Sequence, residues 1–317
     1  MHSWTTQDMP SQEGRLAVVT GAGSGIGYVT ARELARAGAE VVMAGRDEGR
    51  MRDAARRAAA EVPGARVRPE LLDLADLSSV EAFSELLGRA GRPVNLLVNN
   101  AAVMAVPERR TTVDDFELTV GVNHLGHFAL TGRLLPLLLR APGSRVVTVS
   151  AAIARSPLAD PSDLQSTRHY RPMAAYAKSK LANVLFALEL QRRADAAGAG
   201  PVSVAVHPGS SLTGLQRHLS RPVRRLADLA LERFVGQPVE AAALPSLYAG
   251  TAPGIAPGGF YGPTGRFEAR GAPGPVELPT AAGDTARARA LWETSEALTR
   301  VPYIWPGAPY FEEEHPF

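Results

Sequence analysis

The sequence contains no cysteine among its 317 residues. This absence excludes a disulfide scaffold, thiolate zinc sites, iron–sulfur clusters and a cysteine nucleophile. No apolar run reaches the roughly 18 residues that predict a membrane-spanning helix. The first ten residues show neither a basic region nor an apolar core, so we expect no signal peptide and predict a cytoplasmic protein.

The sequence also lacks an excess of charge of either sign, because 34 basic and 32 acidic residues give a net charge of +2. Arginines are scattered among acidic residues and form no basic stripe, so we predict no nucleic-acid partner. Lysine is almost absent and occurs only at Lys178 and Lys180. What remains is an ordinary globular composition, 45% hydrophobic and 21% charged, in a chain long enough to bury a large core.

Short apolar runs alternate with amphipathic stretches along the first two hundred residues. The predicted strands cover 16–20, 41–44, 67–72, 96–98, 146–149, 202–206 and 260–261. The predicted helices follow a glycine-rich turn to residue 37 and then cover 47–61, 77–87, 111–139 with a kink near Pro136, 174–196 and 286–299. Parallel strands joined by right-handed helical crossovers predict an α/β fold, a doubly wound sheet with helices on both faces.

No linker interrupts this pattern, so residues 1–317 are predicted to form one domain. Within it we expect an N-terminal extension at 1–13, loops and helices that cover the substrate at 210–280, and a C-terminal tail at 301–317. The Gly- and Pro-rich stretch 251–280 favours ordered loops around the last strand, with a disordered linker as the alternative.

A glycine-rich turn, Thr20-Gly-Ala-Gly-Ser-Gly-Ile-Gly27, lies between the first predicted strand and the first predicted helix. Gly21 lets the chain leave the strand sharply, and Gly25 and Gly27 let the backbone approach a pyrophosphate. The helix that follows supplies free N–H groups and the positive end of its dipole. Strand, glycine turn and helix in this order predict a nucleotide site, with the spacing G-x-x-x-G-x-G.

The second predicted strand ends at Ala44-Gly-Arg46, where an acidic residue would accept a hydrogen bond from the ribose of NAD. Arg46 instead suits a forked contact with a 2′-phosphate. We therefore predict NADP(H) as the preferred cofactor, with NAD(H) as the alternative. The competing interpretation is that Arg46 is solvated and helps Asp47 to cap the next helix.

Tyr176 and Lys180 lie four residues apart at the start of the long predicted helix, so their side chains share one helix face. A phenol has a pKa near about 10. A nearby ammonium favours the phenolate and lowers that pKa. The pair is therefore a candidate for passing a proton to or from a substrate oxygen.

These motifs resemble the short-chain dehydrogenase/reductase superfamily, and the retinol-dehydrogenase-like branch in particular. The resemblance spans about residues 14–300. It rests on Thr20-Gly-x-x-x-Gly-Ile-Gly27, Asn99-Asn-Ala-Ala102, Asn123-His-Leu-Gly-His-Phe128, Tyr176-x-x-x-Lys180-Leu-Ala-Asn-Val-Leu-Phe186, His207-Pro-Gly209 and Leu291-Trp-Glu-Thr-Ser-Glu-Ala-Leu-Thr299. It implies a single-domain Rossmann-type fold with a parallel seven-stranded sheet, hydride transfer between a nicotinamide and a carbonyl or alcohol carbon, and a homodimer or homotetramer.

The resemblance also implies roles for single residues. Tyr176 would be the proton donor or acceptor, Lys180 would lower its pKa and bind the nicotinamide ribose, and Asn123 would hold a water in the proton relay. The remaining cofactor contacts would come from Gly21, Ser24, Gly25, Ile26, Gly27, Arg46, Asp73, Leu74, Asn99, Ala101, Pro208, Gly209 and Thr213. An apolar stripe on the catalytic helix would be either core or the helical dimer surface common in the family; it comprises Leu181, Val184, Leu185 and Leu188.

One position departs from the family pattern, which places a pair of serines after the fifth strand and uses the second as a hydrogen-bond donor to the substrate oxygen. Here Ser150 takes the first position and Ala151 the second. Loss of one such donor lowers rates by about 10²–10³. Three explanations stay open: Ser150 moves into the role; the substrate or Ser156, Ser210 or Ser211 supplies the donor; or the reaction is not ordinary carbonyl reduction.

We therefore predict an NADP(H)-dependent oxidoreductase acting on a carbonyl or alcohol. The apolar and Arg-rich content of 210–235 and 251–280 favours a bulky, hydrophobic small-molecule substrate, with Ala151 facing it. The alternative is a redox-neutral enzyme on the same fold that performs an elimination, isomerisation or cyclisation. The intact Tyr, Lys and Asn set disfavours a non-catalytic nucleotide-binding protein. His124 and His127 read as packing residues, and no metal is predicted.

Overall fold

The computed structural model describes residues 3–209 and 237–306. Its core is one eight-stranded sheet with the order β3-β2-β1-β4-β5-β6-β7-β8. The strands are β1 Leu16–Thr20, β2 Glu40–Gly45, β3 Arg66–Leu71, β4 Leu96–Asn99, β5 Arg145–Val149, β6 Val202–Val206, β7 Phe260–Pro263 and β8 Pro273–Pro275. The strand pairs are parallel except that β8 runs antiparallel to β7.

Helices cover both faces of this sheet, as predicted. They are α1 Gly25–Arg36, α2 Glu48–Glu61, α3 Leu77–Ala90, the short α4 Leu118–Val120, α5 Gly126–Leu139, α6 Pro172–Ala196, α7 Val239–Thr251 and α8 Thr285–Thr299. The alternation along β1 explains the two layers: Ala17 and Val19 pack with α1, α2 and α7, whereas Leu16 and Val18 pack with α3 and α5. A strand buried on both faces must be apolar throughout, which is why its sequence shows no polar alternation.

The structure corrects the predicted helix 111–139. Glu117 accepts hydrogen bonds from the backbone N–H groups of Thr119 and Val120 and so caps a helix that begins only at Leu118. Helix α5 continues through Pro136, where the sequence predicts a kink. A π-helical segment, Gly121–Leu125, directly precedes α5.

Two further elements were absent from the sequence prediction. In residues 3–209 and 237–306 the sheet has one strand more than predicted, because Pro273–Pro275 adds a short edge strand whose prolines disfavour a strand assignment. Helix α7, Val239–Thr251, contains Pro245 and is apolar around most of its surface, so it lacks the amphipathic pattern of a surface helix. It packs against α1 on one face of the sheet.

The apolar stripe of α6 belongs to the core of this chain. Leu181, Val184 and Leu185 are fully buried in one cluster with Leu291 of α8. Helix α8 therefore covers the stripe from within the same chain. Among the helices of the described residues, none has the length and hydropathy that crossing a membrane requires.

The chain ends also pack on this framework within the described ranges. Trp4 makes an edge-to-face contact with Tyr248 of α7, with ring centroids 5.4 Å apart. Beyond α8, the Tyr303 hydroxyl donates to the Phe128 carbonyl oxygen at 2.7 Å, and the Tyr303 ring lies 4.4 Å from that of Trp292. The predicted extension and tail thus contribute packing where the structure describes them.

Candidate active site

A groove of about 510 Å³ lies across the carboxyl ends of the central strands. This is where a doubly wound sheet places its ligand, next to the point at which β1 has β2 on one side and β4 on the other. Most of the predicted site residues line it: Gly21, Ser24, Gly25, Ile26, Gly27, Arg46, Asp73, Leu74, Ala101, Ser150, Ala151, Tyr176, Lys180, Pro208 and Gly209. Asn99 and Asn123 do not, and Thr213 lies outside the described residues.

The glycine turn forms one wall of the groove. Gly21 has a φ of +68°, a conformation that favours glycine. A Cβ on Gly27 would lie 2.5 Å from the Gly21 carbonyl oxygen, so the first turn of α1 closes tightly against the end of β1. The N-terminus of α1 thus borders the groove with backbone N–H groups that have no partner within the helix, an arrangement that suits a pyrophosphate.

Arg46 borders the groove at the end of β2, with an exposed side chain. Asp47 caps α2 by accepting the Arg50 N–H at 3.0 Å, and its other oxygen lies 3.6 Å from Arg50 Nε. Within residues 3–209 and 237–306, no carboxylate pairs with Arg46. The guanidinium is therefore available to an anion in the groove, and the capping role that competed with this interpretation belongs to Asp47.

Asn99 is a correction to the predicted cofactor contacts. Its side chain is buried on the α5 side of the sheet, where its Nδ2 donates to Thr131 Oγ1 at 3.0 Å. The next residue, Asn100, lines the groove instead and donates to the Thr20 carbonyl oxygen at 2.8 Å. Neighbouring residues at a strand end point to opposite faces, so a motif match places the pair but not the member that faces the ligand.

Asn123 lies in the π-helical segment behind the groove wall. Its Oδ1 accepts the Val103 N–H at 2.8 Å, and its Nδ2 donates to the Val103 carbonyl oxygen at 3.0 Å and to Ser179 Oγ at 2.9 Å. Ser179 Oγ in turn donates to the Tyr176 carbonyl oxygen at 2.8 Å. The side chain thus ties a groove residue to the helix that carries Tyr176, and its role toward a relay water stays a prediction.

Tyr176 and Lys180 both line the groove from the first turns of α6, with 9% and 2% of their surfaces exposed. Lys180 Nζ donates to the Val149 carbonyl oxygen at 3.0 Å and lies 5.6 Å from the centre of the Tyr176 ring. Burial lowers the pKa of Lys180 to about 7. Burial also raises the pKa of the Tyr176 hydroxyl above its ordinary value.

This pKa direction differs from the expectation that Lys180 lowers the pKa of Tyr176. In the protein without bound cofactor, desolvation of both groups outweighs their mutual attraction. A buried amine that is only partly protonated near neutral pH supplies less positive charge to the phenol than a solvated lysine would.

Ser150 is held away from the role of substrate donor. Its Oγ donates to the Lys180 carbonyl oxygen at 2.7 Å, its N–H donates to the Val206 carbonyl oxygen at 2.6 Å, and 1% of its surface is exposed. Ala151 borders the groove and brings no hydroxyl. The structure therefore disfavours the first of the three explanations for Ala151, since Ser150 would have to abandon a buried hydrogen bond.

The second explanation for Ala151 names three other serines as possible donors to the substrate oxygen. Ser156 does not line the groove, and its Oγ accepts the Leu158 N–H at 3.2 Å. Ser210 and Ser211 lie outside the described residues. The same holds for 210–236 of the segment predicted to cover the substrate, while its described part adds no residue to the groove lining.

Sequence reasoning did not identify the apolar wall of the groove. This wall consists of Ala102, Val103, Met104, Val122 and Val149. Some of these residues adjoin recognised motifs, but an apolar residue after a strand or in a helix carries no signal of its own. Together with Ala151 they give the groove, as far as the structure describes it, an apolar part next to its glycine turn and its Tyr176–Lys180 pair.

The chain is similar to known dehydrogenases over most of its length. The short chain dehydrogenase family matches residues 15–223 of the chain. A polyprenol dehydrogenase of Mus musculus is 44% identical over 92% of this chain and 85% of its own length. The human retinol dehydrogenase 14 is 39% identical over 90% of this chain and 86% of its own length.

Solved structures agree. That of an uncharacterised protein from Mycobacterium paratuberculosis superposes with a TM-score of 0.79 at 41% identity, covering 96% of this chain and 100% of that one. A protein described as an NAD(P)-dependent gluconate 5-dehydrogenase from Beutenbergia cavernae, with NADP bound, gives a TM-score of 0.59 at 30% identity, covering 76% and 91%.

The chain is a short-chain dehydrogenase/reductase, an oxidoreductase of the Rossmann type. Within this superfamily it belongs to the retinol-dehydrogenase-like branch, as the relatives above indicate.

Proposed function

We propose that this chain is an NADP(H)-preferring oxidoreductase of the cytoplasm that transfers a hydride between the cofactor and a carbonyl or alcohol carbon of a bulky hydrophobic substrate. One observation carries this proposal. The glycine turn, Arg46, Tyr176 and Lys180 line one continuous groove, so phosphate binding and acid–base chemistry share a single site.

The residues of the groove fit a dinucleotide phosphate. The N-terminus of α1 offers N–H donors to the pyrophosphate, and the exposed guanidinium of Arg46 offers a forked donor to the 2′-phosphate. When bound, the nicotinamide supplies or accepts the hydride. The remaining chemistry belongs to side chains of this protein.

Tyr176 holds the substrate oxygen in this proposal and moves its proton. In the reductive direction the hydroxyl donates its proton to the oxygen as negative charge develops there, and in the oxidative direction the phenolate takes that proton back. Its position in the groove wall, 9% exposed, limits access of water to the reacting oxygen. A protonated Lys180 beside it stabilises the phenolate form.

The substrate class follows from the groove wall and from the relatives. The groove that Tyr176 lines is also apolar at Val103, Met104, Val149 and Ala151, which favours a hydrophobic substrate. The relatives are named for retinol and polyprenol, which are both isoprenoid alcohols. We therefore propose a long-chain isoprenoid alcohol or its aldehyde.

Ala151 favours a second candidate function. Without a hydroxyl at this position, Tyr176 is the one recognised donor to a substrate oxygen among the described groove residues. A redox-neutral elimination, isomerisation or cyclisation needs the acid–base pair but no hydride transfer, and would keep NADP(H) as a structural ligand.

A single assay separates the two functions. The purified protein is incubated with NADPH and farnesal, while the absorbance at 340 nm and the products are followed. Hydride transfer predicts a fall in absorbance matched by formation of the alcohol. Product without an absorbance change would favour the redox-neutral enzyme. Absence of both cofactor binding and turnover would overturn the proposal.

A further inference from the structure

His127 lies in the first turn of α5 and is 1% exposed, yet both of its ring nitrogens have partners. Nδ1 is 3.1 Å from the carbonyl oxygen of Asn123, and Nε2 is 2.8 Å from Thr20 Oγ1. The two partners belong to different parts of the site. Thr20 ends β1 at the glycine turn, and Asn123 lies in the π-helical segment behind Tyr176.

The chemistry of the partners fixes the direction of both hydrogen bonds. A carbonyl oxygen can only accept, so Nδ1–H of His127 donates to Asn123. Burial lowers the pKa of His127 to about 3, so the ring is neutral and carries a single N–H. Nε2 is then an acceptor, and the Thr20 hydroxyl donates to it.

Thr20 passes this constraint to the groove wall. Its Oγ1 accepts the N–H groups of Asn100 at 2.9 Å and Ala101 at 3.0 Å, and both residues line the groove. A hydroxyl has two acceptor sites and one proton, so these two N–H groups leave Thr20 only its proton to share. Two acceptors are within reach of that proton, His127 Nε2 at 2.8 Å and the Val98 carbonyl oxygen at 3.3 Å, and the shorter contact is to His127.

The other partner leads to the reacting groups. Asn123 holds both backbone groups of Val103 and, through Ser179, the carbonyl oxygen of Tyr176. The imidazole of His127 therefore lies between the groove residues that follow β4 and the helix that carries Tyr176.

We propose that His127 is a positioning residue that couples two parts of the site, the groove wall at Asn100 and Ala101 and the helix that carries Tyr176. It does so through one hydrogen bond to Thr20 and one to Asn123. The inference rests on the proposed function for its binding and kinetic readouts but not for its spectroscopic readout.

Two substitutions divide the two hydrogen bonds. Asparagine places an amide nitrogen near the position of Nδ1, so His127→Asn keeps the donor to Asn123 and loses the acceptor for Thr20. Glutamine reaches the position of Nε2, so His127→Gln keeps the acceptor and loses the donor. Because one hydrogen bond contributes modestly, each effect is expected to be about threefold to tenfold.

Dissociation constants for NADPH are measured by titration calorimetry and kcat by absorbance at 340 nm. His127→Asn is expected to raise the dissociation constant about threefold to tenfold with little change in kcat. His127→Gln is expected to lower kcat by a similar factor with little change in the dissociation constant. If both variants change the two quantities in parallel, or change neither, the proposal is overturned.

Ser295→Ala is the matched control. It removes a different buried hydrogen bond, in which the Ser295 hydroxyl donates to the Leu291 carbonyl oxygen and accepts from His124 Nε2–H at 2.9 Å, on the α8 side and away from the groove. It is expected to lower Tm as the His127 variants do, while the dissociation constant and kcat stay unchanged. Should it reproduce the pattern of either His127 variant, a general loss of packing explains the result.

A measurement on the unsubstituted protein keeps the proposal testable if the variants do not fold. Nitrogen-15 NMR of the imidazole is expected to show His127 as the neutral Nδ1–H tautomer from pH 5 to pH 9. An Nε2–H tautomer, or titration in this range, overturns the proposed bridge. Failure of the unsubstituted protein to bind NADPH would count against the proposed function and not against the bridge.

Discussion

The two ends of the groove differ in how they carry charge. Arg46, Asp47 and Arg50 are exposed around the end where the adenosine half is proposed to lie, whereas Tyr176 and Lys180 are buried at the other end. The exposed charges act through their geometry and are screened by water and salt. Buried groups change their protonation, and here burial moves the pKa values of Tyr176 and Lys180 in opposite directions.

The difference separates recognition from chemistry. At the exposed end, one arginine adds a screened contact of limited strength to an otherwise complete site. At the buried end, a single hydroxyl decides whether the substrate oxygen receives a proton. Substitutions at the buried end should therefore alter rates strongly, and those at the exposed end should alter cofactor selectivity by smaller factors.

The largest effect is expected for Tyr176→Phe. It removes the proposed proton donor, so kcat/KM for aldehyde reduction should fall by about 10²–10⁴ while the NADPH dissociation constant changes little. Tyr170→Phe is the matched control, because its hydroxyl donates to the Val106 carbonyl oxygen and does not line the groove. Full activity of Tyr176→Phe would show that the Tyr176 hydroxyl is not the proton donor.

Ala151→Ser tests the polarity of the same end. A serine here supplies the donor that the family pattern places at this position, so the rate of aldehyde reduction should rise, by up to about 10²–10³. Ala152→Ser, one residue later and exposed, should leave the rate unchanged. If the Ala151 variant shows no gain in steady-state reduction, the missing donor does not limit this enzyme and the explanation for Ala151 must be sought in the substrate.

Arg46→Ala tests the exposed end. Loss of a charge-assisted contact with the 2′-phosphate should raise the dissociation constant for NADPH about tenfold to a hundredfold and leave that for NADH nearly unchanged. Arg52→Ala is a suitable control, since Arg52 pairs with Glu48 and does not line the groove. Equal weakening of both cofactors, measured by titration calorimetry, would contradict the NADP(H) preference.

The same contrast explains what could be predicted from the sequence. The glycine turn, the pair Tyr176 and Lys180 and the buried strands follow from local chemistry and spacing, and the structure brings them together as expected. Asn99 was misplaced because a motif does not tell which of two neighbouring side chains faces the groove. The commitment of Ser150 to the Lys180 carbonyl oxygen depends on contacts between β5 and α6, which no local pattern encodes.

The electrostatics of the buried end were also beyond the sequence. Spacing along a helix places Lys180 next to Tyr176, and in water this would lower the pKa of the phenol. The opposite direction arises because α6 packs against β5 and β6 and buries both groups. Desolvation is a property of the whole fold, and it appears only once the tertiary structure is known.

The last expected effect concerns stability and not catalysis, namely the pH dependence of unfolding. The pKa of Lys180 is about 7 in the folded protein, against about 10.4 in an unfolded chain, so the unfolded chain binds more protons between these values. The free energy of unfolding of the cofactor-free protein should therefore rise as the pH increases from 7 to about 10. The raised pKa of Tyr176 acts in the opposite sense, but only above about pH 10.

The slope of the unfolding free energy against pH reports how many more protons the unfolded chain binds than the folded protein does. Lys180→Met should lower this difference by up to about one proton, as measured by urea unfolding at several pH values between 7 and 9.5. Lys178→Met is the comparison, because the buried Lys178 also has a lowered pKa but does not line the groove. It should reduce the slope less than Lys180→Met does. A Lys180→Met protein with the slope of the unsubstituted chain would mean that Lys180 stays charged in the folded state, and the buried end would then resemble the exposed end electrostatically.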